Sequence, residues 1–188
     1  LIGWGGSVSH YDSCWGSGIR EAATRVANRH PELLWVICGN DSRIFDQLPV
    51  SKTSKFQQPG VDPSEWPKIV RAFDIGVAPL FGPYDQRRSW IKGLEYLLAG
   101  VPWIGTAGEP YLDLQGLGIF VRNGIEEWED ALEAMLKNLP AMQEASLGRI
   151  PIGRNWLAIN QVESYKKVYS EISESAGEKG RLPGIFYV

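Results

Sequence analysis

A chain of 188 residues is long enough for one sizeable core and short for two, and its 44% hydrophobic and 22% charged residues describe an ordinary globular domain. The formal net charge of -3 supplies no general attraction for nucleic acid or an anionic membrane surface, so any anion site must be local. No apolar run approaches the roughly 20 residues of a membrane span, no signal-peptide pattern opens the chain, and Cys14 and Cys38 are too few for a disulfide framework. The expected setting is cytoplasmic and reducing.

The chain opens on Leu1-Ile2-Gly3-Trp4-Gly5-Gly6, which reads as the end of a strand followed at once by a glycine turn. So short a strand suggests a cut start, with a preceding domain expected upstream. A polar loop through Asp12 and Ser17 leads to a helix near Gly18 to His30, whose Ile19, Ala22, Ala23 and Val26 recur at helical spacing before Pro31. Leu33 to Cys38 is a continuous apolar run ended by Gly39-Asn40-Asp41, the mark of a strand covered on both faces. A short strand at Lys55-Phe56-Gln57 follows. Ser64 then reads as the N-cap of a helix with Pro67 in its first turn and Trp66, Ile69, Val70 and Phe73 as its apolar stripe.

That helix delivers the chain to a strand at Ile75 to Leu80, a loop through Arg88, a helix from Ser89 to Gly100, and a strand at Val101 to Thr106. A short strand at Ile119 to Val121 comes next. Glu126 to Leu139 carries Glu126, Glu127, Glu129 and Asp130 at its start and Lys137 near its end, as the helix dipole favours, and Pro140 is expected to stop it. A final helix over roughly Asn155 to Ser173 puts Trp156, Ile159, Val162, Tyr169 and Ile172 on one side. The predicted domain covers residues 1 to 175, and 176 to 188 read as a tail.

Alternating strands and helices of this length imply right-handed crossovers and an α/β fold: a doubly wound parallel sheet with helices on both faces, Rossmann-like. Ligands of such sheets bind beyond the carboxyl ends of the strands. Gly5, Gly6 and Ser7 then form a turn that lets backbone N–H groups approach a phosphate. In the helix Ser89 to Gly100, Lys92 and Glu95 stand three residues apart and share a face, while Trp90, Ile91, Leu94 and Leu98 form the expected buried stripe. Arg87, Arg88 and Ser89 surround the helix start, where free N–H groups and guanidinium favour a diphosphate, with Arg88 and Lys92 holding its charge. Glu95 is placed to accept hydrogen bonds from the vicinal hydroxyls of a ribose.

Other chemistries fit less well. Gly3-Trp4-Gly5 lacks the third glycine of a dinucleotide fingerprint, and there is no phosphate-loop lysine pattern of an ATPase. His10 and His30 have no partners at metal-ligand spacing, so no metal is expected. Ser, His and Asp occur without a nucleophile elbow, and no residue stands out as catalytic. Trp35, Trp66, Trp128 and Trp156 sit on inferred core stripes, whereas Trp4 and Trp90 flank the crevice.

The segment Ser89-Trp90-Ile91-Lys92-Gly93-Leu94-Glu95-Tyr96, followed by Ala99-Gly100-Val101-Pro102-Trp103-Ile104-Gly105-Thr106, resembles the donor-binding signature of GT-B-fold glycosyltransferases of the group 1, retaining type. Phe73 to Leu80, Leu34 to Gly39 and Phe56 to Val61 fall in the same family order. The resemblance implies a C-terminal domain that binds a nucleotide diphosphate sugar, UDP being one candidate nucleotide, with Glu95 at the ribose, the Gly5-Gly6 turn at the diphosphate and Gln58 to Val61 near the base. It also implies a separate N-terminal acceptor-binding domain, with transfer taking place between the two. Retaining members commonly carry two glutamates separated by seven residues, and the earlier position here is Arg87; they also place Arg and Lys soon after the first strand, where this chain has His10 and then Arg20. Two further readings stay open beside this one, a nucleotide or nucleotide-sugar binding module without activity and a degenerate scaffold of the same fold.

Overall fold

Six short runs pair side by side in the computed structural model, which describes residues 1–6 and 8–179. They are β1 (Ile2–Gly5), β2 (Trp35–Cys38), β3 (Lys55–Gln58), β4 (Ile75–Ala78), β5 (Trp103–Thr106) and β6 (Ile119–Val121). All neighbours run parallel in the order β3-β2-β1-β4-β5-β6. The order reverses between β1 and β4, and beyond the carboxyl ends of that pair such a sheet forms its ligand crevice. The expected doubly wound parallel sheet is therefore the observed one.

Nine α-helices are described: α1 (Tyr11–Gly16), α2 (Ile19–Arg29), α3 (Arg43–Gln47), α4 (Trp66–Arg71), α5 (Gly82–Asp85), α6 (Ile91–Ala99), α7 (Ile125–Lys137), α8 (Leu139–Arg154) and α9 (Val162–Lys179). The contacts divide the chain into two compact units, Leu1–Ile150 and a second that begins at Pro151. In the first, alternate strand residues point to opposite faces. Ile2, Trp4, Trp35, Ile37, Ile75, Val77 and Ile104 meet Ala22, Val26, Trp128 and Leu132 of α2 and α7 in one buried core.

The opposite face is built on glycine, and the aromatic rings of Phe73, just past α4, and of Tyr96 on α6 fill the notches. A Cβ at Gly3 would lie 2.1 Å from the Phe73 ring, and one at Gly76 would lie 2.5 Å from Tyr96. The Tyr96 hydroxyl, on α6, donates toward the carbonyls of Val77 at 3.0 Å and Gly3 at 3.3 Å. This anchor sets the rotation of α6. Its buried side is Leu94, Tyr96 and Leu97, whereas Ile91, expected in that stripe, is 55% exposed. Gly100 ends the helix in the left-handed region, φ 72°, with its N–H on the carbonyls of Leu97 and Tyr96.

Several expectations change. The loop through Asp12 contains α1. Ser64 is not the cap of α4, because its N–H and hydroxyl both turn back to Asp62 and Glu65 takes the cap position. α7 does end ahead of Pro140, at Lys137 rather than Leu139, but the chain does not leave helix there: Pro140 sits in the first turn of α8, where a missing N–H costs no hydrogen bond. The helix expected from Asn155 is a 3-10 turn at Ala158–Gln161 followed by α9, which runs on past the predicted tail start to Lys179. Ile159, Val162, Tyr169 and Ile172 are exposed there, and Trp156 is half-buried. The rest of the predicted tail, 180–188, and Ser7 lie outside the described residues.

Candidate functional site

The carboxyl ends of β1 and β2, the start of α4 and one face of α6 enclose a cavity of about 630 Å³. Gly5, Gly6, Lys92 and Glu95 all line it, with Pro59, Gly60 and Val61 from the loop after β3. Three-residue spacing on α6 turns Lys92 and Glu95 to the same side, as expected. Arg87, Arg88 and Ser89 line a separate depression with Trp90 and Glu109.

Internal partners occupy much of the polar equipment at this edge. The Lys92 ammonium donates to the carbonyl of Gly5 and lies 5.4 Å from the centre of the Trp4 ring. Removal from water pulls Lys92 below the ordinary lysine range, and the nearby Glu95 charge opposes that shift. The N–H of Gly6 is bonded to the carbonyl of Cys38 at 3.1 Å. Both glycines of the turn are also demanded by packing: a Cβ at Gly5 would lie 2.2 Å from Trp66, and one at Gly6 would lie 2.7 Å from Trp4. Trp4, expected to flank the crevice, is 3% exposed and belongs to the core.

Glu95 is half-buried, and burial raises its carboxyl above the ordinary glutamate range. A hydrogen-bonding interaction with the Trp66 side chain and the Lys92 charge both act against that rise. Trp66 was expected in the core, and the structure instead places it, half-buried, in the cavity wall. Helical periodicity sees only an apolar residue there. Its place in the first turn of a helix that follows a strand's carboxyl end was the available signal. Cys38 also lines the cavity, and burial pushes its thiol up to about 12, so it stays protonated and uncharged at neutral pH.

Arg88 is engaged on the protein side. Its Nε donates to Asp85 Oδ1 at 2.5 Å, one terminal nitrogen donates to the Ser9 carbonyl at 2.7 Å, and the other reaches His10 Nε2 at 3.0 Å. A guanidinium only donates, so His10 accepts through Nε2 and carries its proton on Nδ1. Burial first, then Lys92 and Arg88, lower the His10 pKa to about 3, and the ring is neutral at physiological pH. Among the described residues no three His, Cys, Asp or Glu side chains come together as a metal site. No described helix is long and apolar enough to cross a membrane.

These features define a doubly wound parallel α/β domain whose cavity opens at the carboxyl ends of β1 and β2, between α4 and α6. No family model matches the chain, and no curated protein matches it. Solved structures do. WaaG, a glycosyltransferase involved in lipopolysaccharide biosynthesis, superposes with a TM-score of 0.64 at 16% identity over 88% of this chain and 45% of its own. HepE from Anabaena, solved in complex with UDP and glucose, gives 0.67 at 12% identity over 89% of this chain and 48% of its own. The C-terminal domain of LpcC, a glycosyl transferase group 1 family protein from Francisella tularensis, gives 0.62 at 16% identity over 82% of this chain and 84% of its own. The chain has the fold of a GT-B glycosyltransferase C-terminal domain, and it spans under half the length of WaaG and of HepE.

Proposed function

We propose that this domain holds a nucleoside diphosphate sugar for a glycosyltransferase, with the acceptor bound by another domain and no metal required. The observation that carries this reading is the cavity of about 630 Å³, which joins the Gly5-Gly6 turn, Lys92, Glu95 and the Pro59 to Val61 loop at the carboxyl edge of the sheet. Its volume lies within the range of small-molecule sites. Glu95 would accept hydrogen bonds from the ribose hydroxyls. Lys92 would exchange the Gly5 carbonyl for a phosphate oxygen, and with the N–H groups of the first turn of α6 would stabilise charge on the departing diphosphate, whereas Arg87 and Ser89 line the separate depression. The buried free thiols of Cys14 and Cys38 accord with a reducing, cytoplasmic setting.

A second reading, a nucleotide-binding module without transfer, is favoured by Arg87 at the earlier acidic position and by the internal bonds of Gly6 and Arg88. Calorimetric titration with UDP, GDP, ADP and dTDP and their sugar conjugates, in the presence of a chelator, tests the proposal. Saturable binding of one nucleotide, weakened about tenfold or more by Glu95→Ala and by Lys92→Ala, is the expected result. Absence of binding by the folded chain would overturn it. Turnover when this domain is joined to an acceptor-binding domain separates the two readings.

A further inference from the structure

Asp85 is 2% exposed and carries three converging donors. The Ser13 hydroxyl of α1 and the backbone N–H of Phe81, at 2.7 Å, both bond Oδ2, and Arg88 Nε bonds Oδ1. Arg88 then continues to the Ser9 carbonyl and to His10, and the Tyr84 ring lies 4.7 Å from its guanidinium carbon. Ser9, His10 and Ser13 belong to the segment leaving β1, whereas Phe81, Asp85 and Arg88 belong to the segment between β4 and α6. The cluster therefore ties together the two chain segments that flank the crevice.

We infer that Asp85 and Arg88 are positioning residues, a buried brace that fixes the Gly5-Gly6 turn against the start of α6, and that Arg88 is not itself a phosphate ligand. A ligand spanning the turn and α6 needs both held in one geometry before it arrives, and a guanidinium committed to three protein acceptors supplies that order. The geometry suits arginine alone. A lysine has no planar fork to bridge Asp85, Ser9 and His10 together.

The inference rests on the donor-site reading, and the sign of one substitution separates the two possible roles of Arg88. Were Arg88 a phosphate ligand, Asp85→Asn would remove a competing negative charge and tighten diphosphate binding. As a brace, Asp85→Asn and Arg88→Lys each weaken UDP, or whichever diphosphate binds, by about tenfold, and the double variant is no weaker than either alone. Ser13→Ala, which leaves both charges in place, gives a smaller loss of the same sign, and it carries the test if Asp85→Asn does not fold. Unchanged or tighter binding in these variants overturns the brace. Amide hydrogen exchange without ligand reads it independently. Selective loss of protection at Gly5-Gly6 and at residues 91–95, with β5 unaffected, supports the brace even if no nucleotide binds the parent chain, and uniform protection refutes it.

Discussion

At the residue scale the pair Trp66 and Glu95 shows how one neighbour sets a carboxylate's chemistry. Burial drives Glu95 toward the neutral acid, and the Trp66 interaction and Lys92 drive it back. The charged or titratable groups that line the same cavity are Lys92 from its own helix, Arg71 from α4 and Cys38 from β2. Only the ionised carboxylate accepts from two hydroxyls without donating, so nucleotide affinity should fall as pH drops through the raised Glu95 pKa. Trp66→Phe removes a factor that lowers that pKa, and the midpoint of the fall should move to higher pH. Affinity measured between about pH 4 and 8, a range that starts below the ordinary glutamate value and extends well above it, checks this, and a midpoint that stays in place would refute the coupling. The Lys92 and Glu95 pairing was legible in the spacing alone, because it follows from helix geometry. The Trp66 contribution was not, because it depends on which rings the glycines of β1 admit.

At the element scale α2 and α7 pack side by side over one sheet face and are laced by charges at their solvent edge. Arg29 reaches Glu129 at 2.7 Å and Glu133 at 2.8 Å, and Arg25 reaches Glu129 at 2.9 Å. His30, at the end of α2, lies 2.9 Å from Glu133, and that hydrogen bond is the largest cause of its raised pKa. An unfolded histidine titrates near pH 6.5. The stability from this contact is therefore complete below that value and is lost as pH rises through the higher folded pKa. Denaturant midpoints should decline modestly from about pH 6 to 8. Glu133→Gln should flatten the decline, and an equal slope in that variant would assign the pH dependence elsewhere. The apolar stripe of α7 made that helix readable. α8 was unreadable for the opposite reason: it carries Pro140, Gly148, Pro151 and Gly153. Its exposed Leu147 and Ile152 follow no apolar stripe.

At the scale of the whole molecule, the donor-site reading has a consequence for stability. A ligand that binds only the folded form adds about 2.7 kcal/mol at one hundred times its dissociation constant. For a unit of this size that corresponds to a rise in Tm of roughly 5–10 °C. Thermal unfolding with nucleotide at about one hundred times the parent dissociation constant should show the full rise in the parent chain and, for a roughly tenfold weaker Glu95→Ala, about half of it at the same concentration. Equal shifts in both would place the ligand elsewhere.

The sequence by itself determined the alternation of strands and helices, hence the parallel sheet, and with it the edge where a ligand site had to lie. It also determined the shared face of Lys92 and Glu95. These are consequences of local periodicity and of short connections, which a linear pattern carries in full. Tertiary structure alone decided which neighbours those side chains meet: Trp66 against Gly5 and Glu95, Lys92 on the Gly5 carbonyl, and Arg88 bound between Asp85, Ser9 and His10. Contacts such as Trp66 with Gly5 and Glu95, Lys92 with Gly5, and Arg88 with Ser9 and His10 are set by the packing of helices on the sheet. A charge near a crevice in sequence becomes a ligand or a brace according to the partner that packing brings to it.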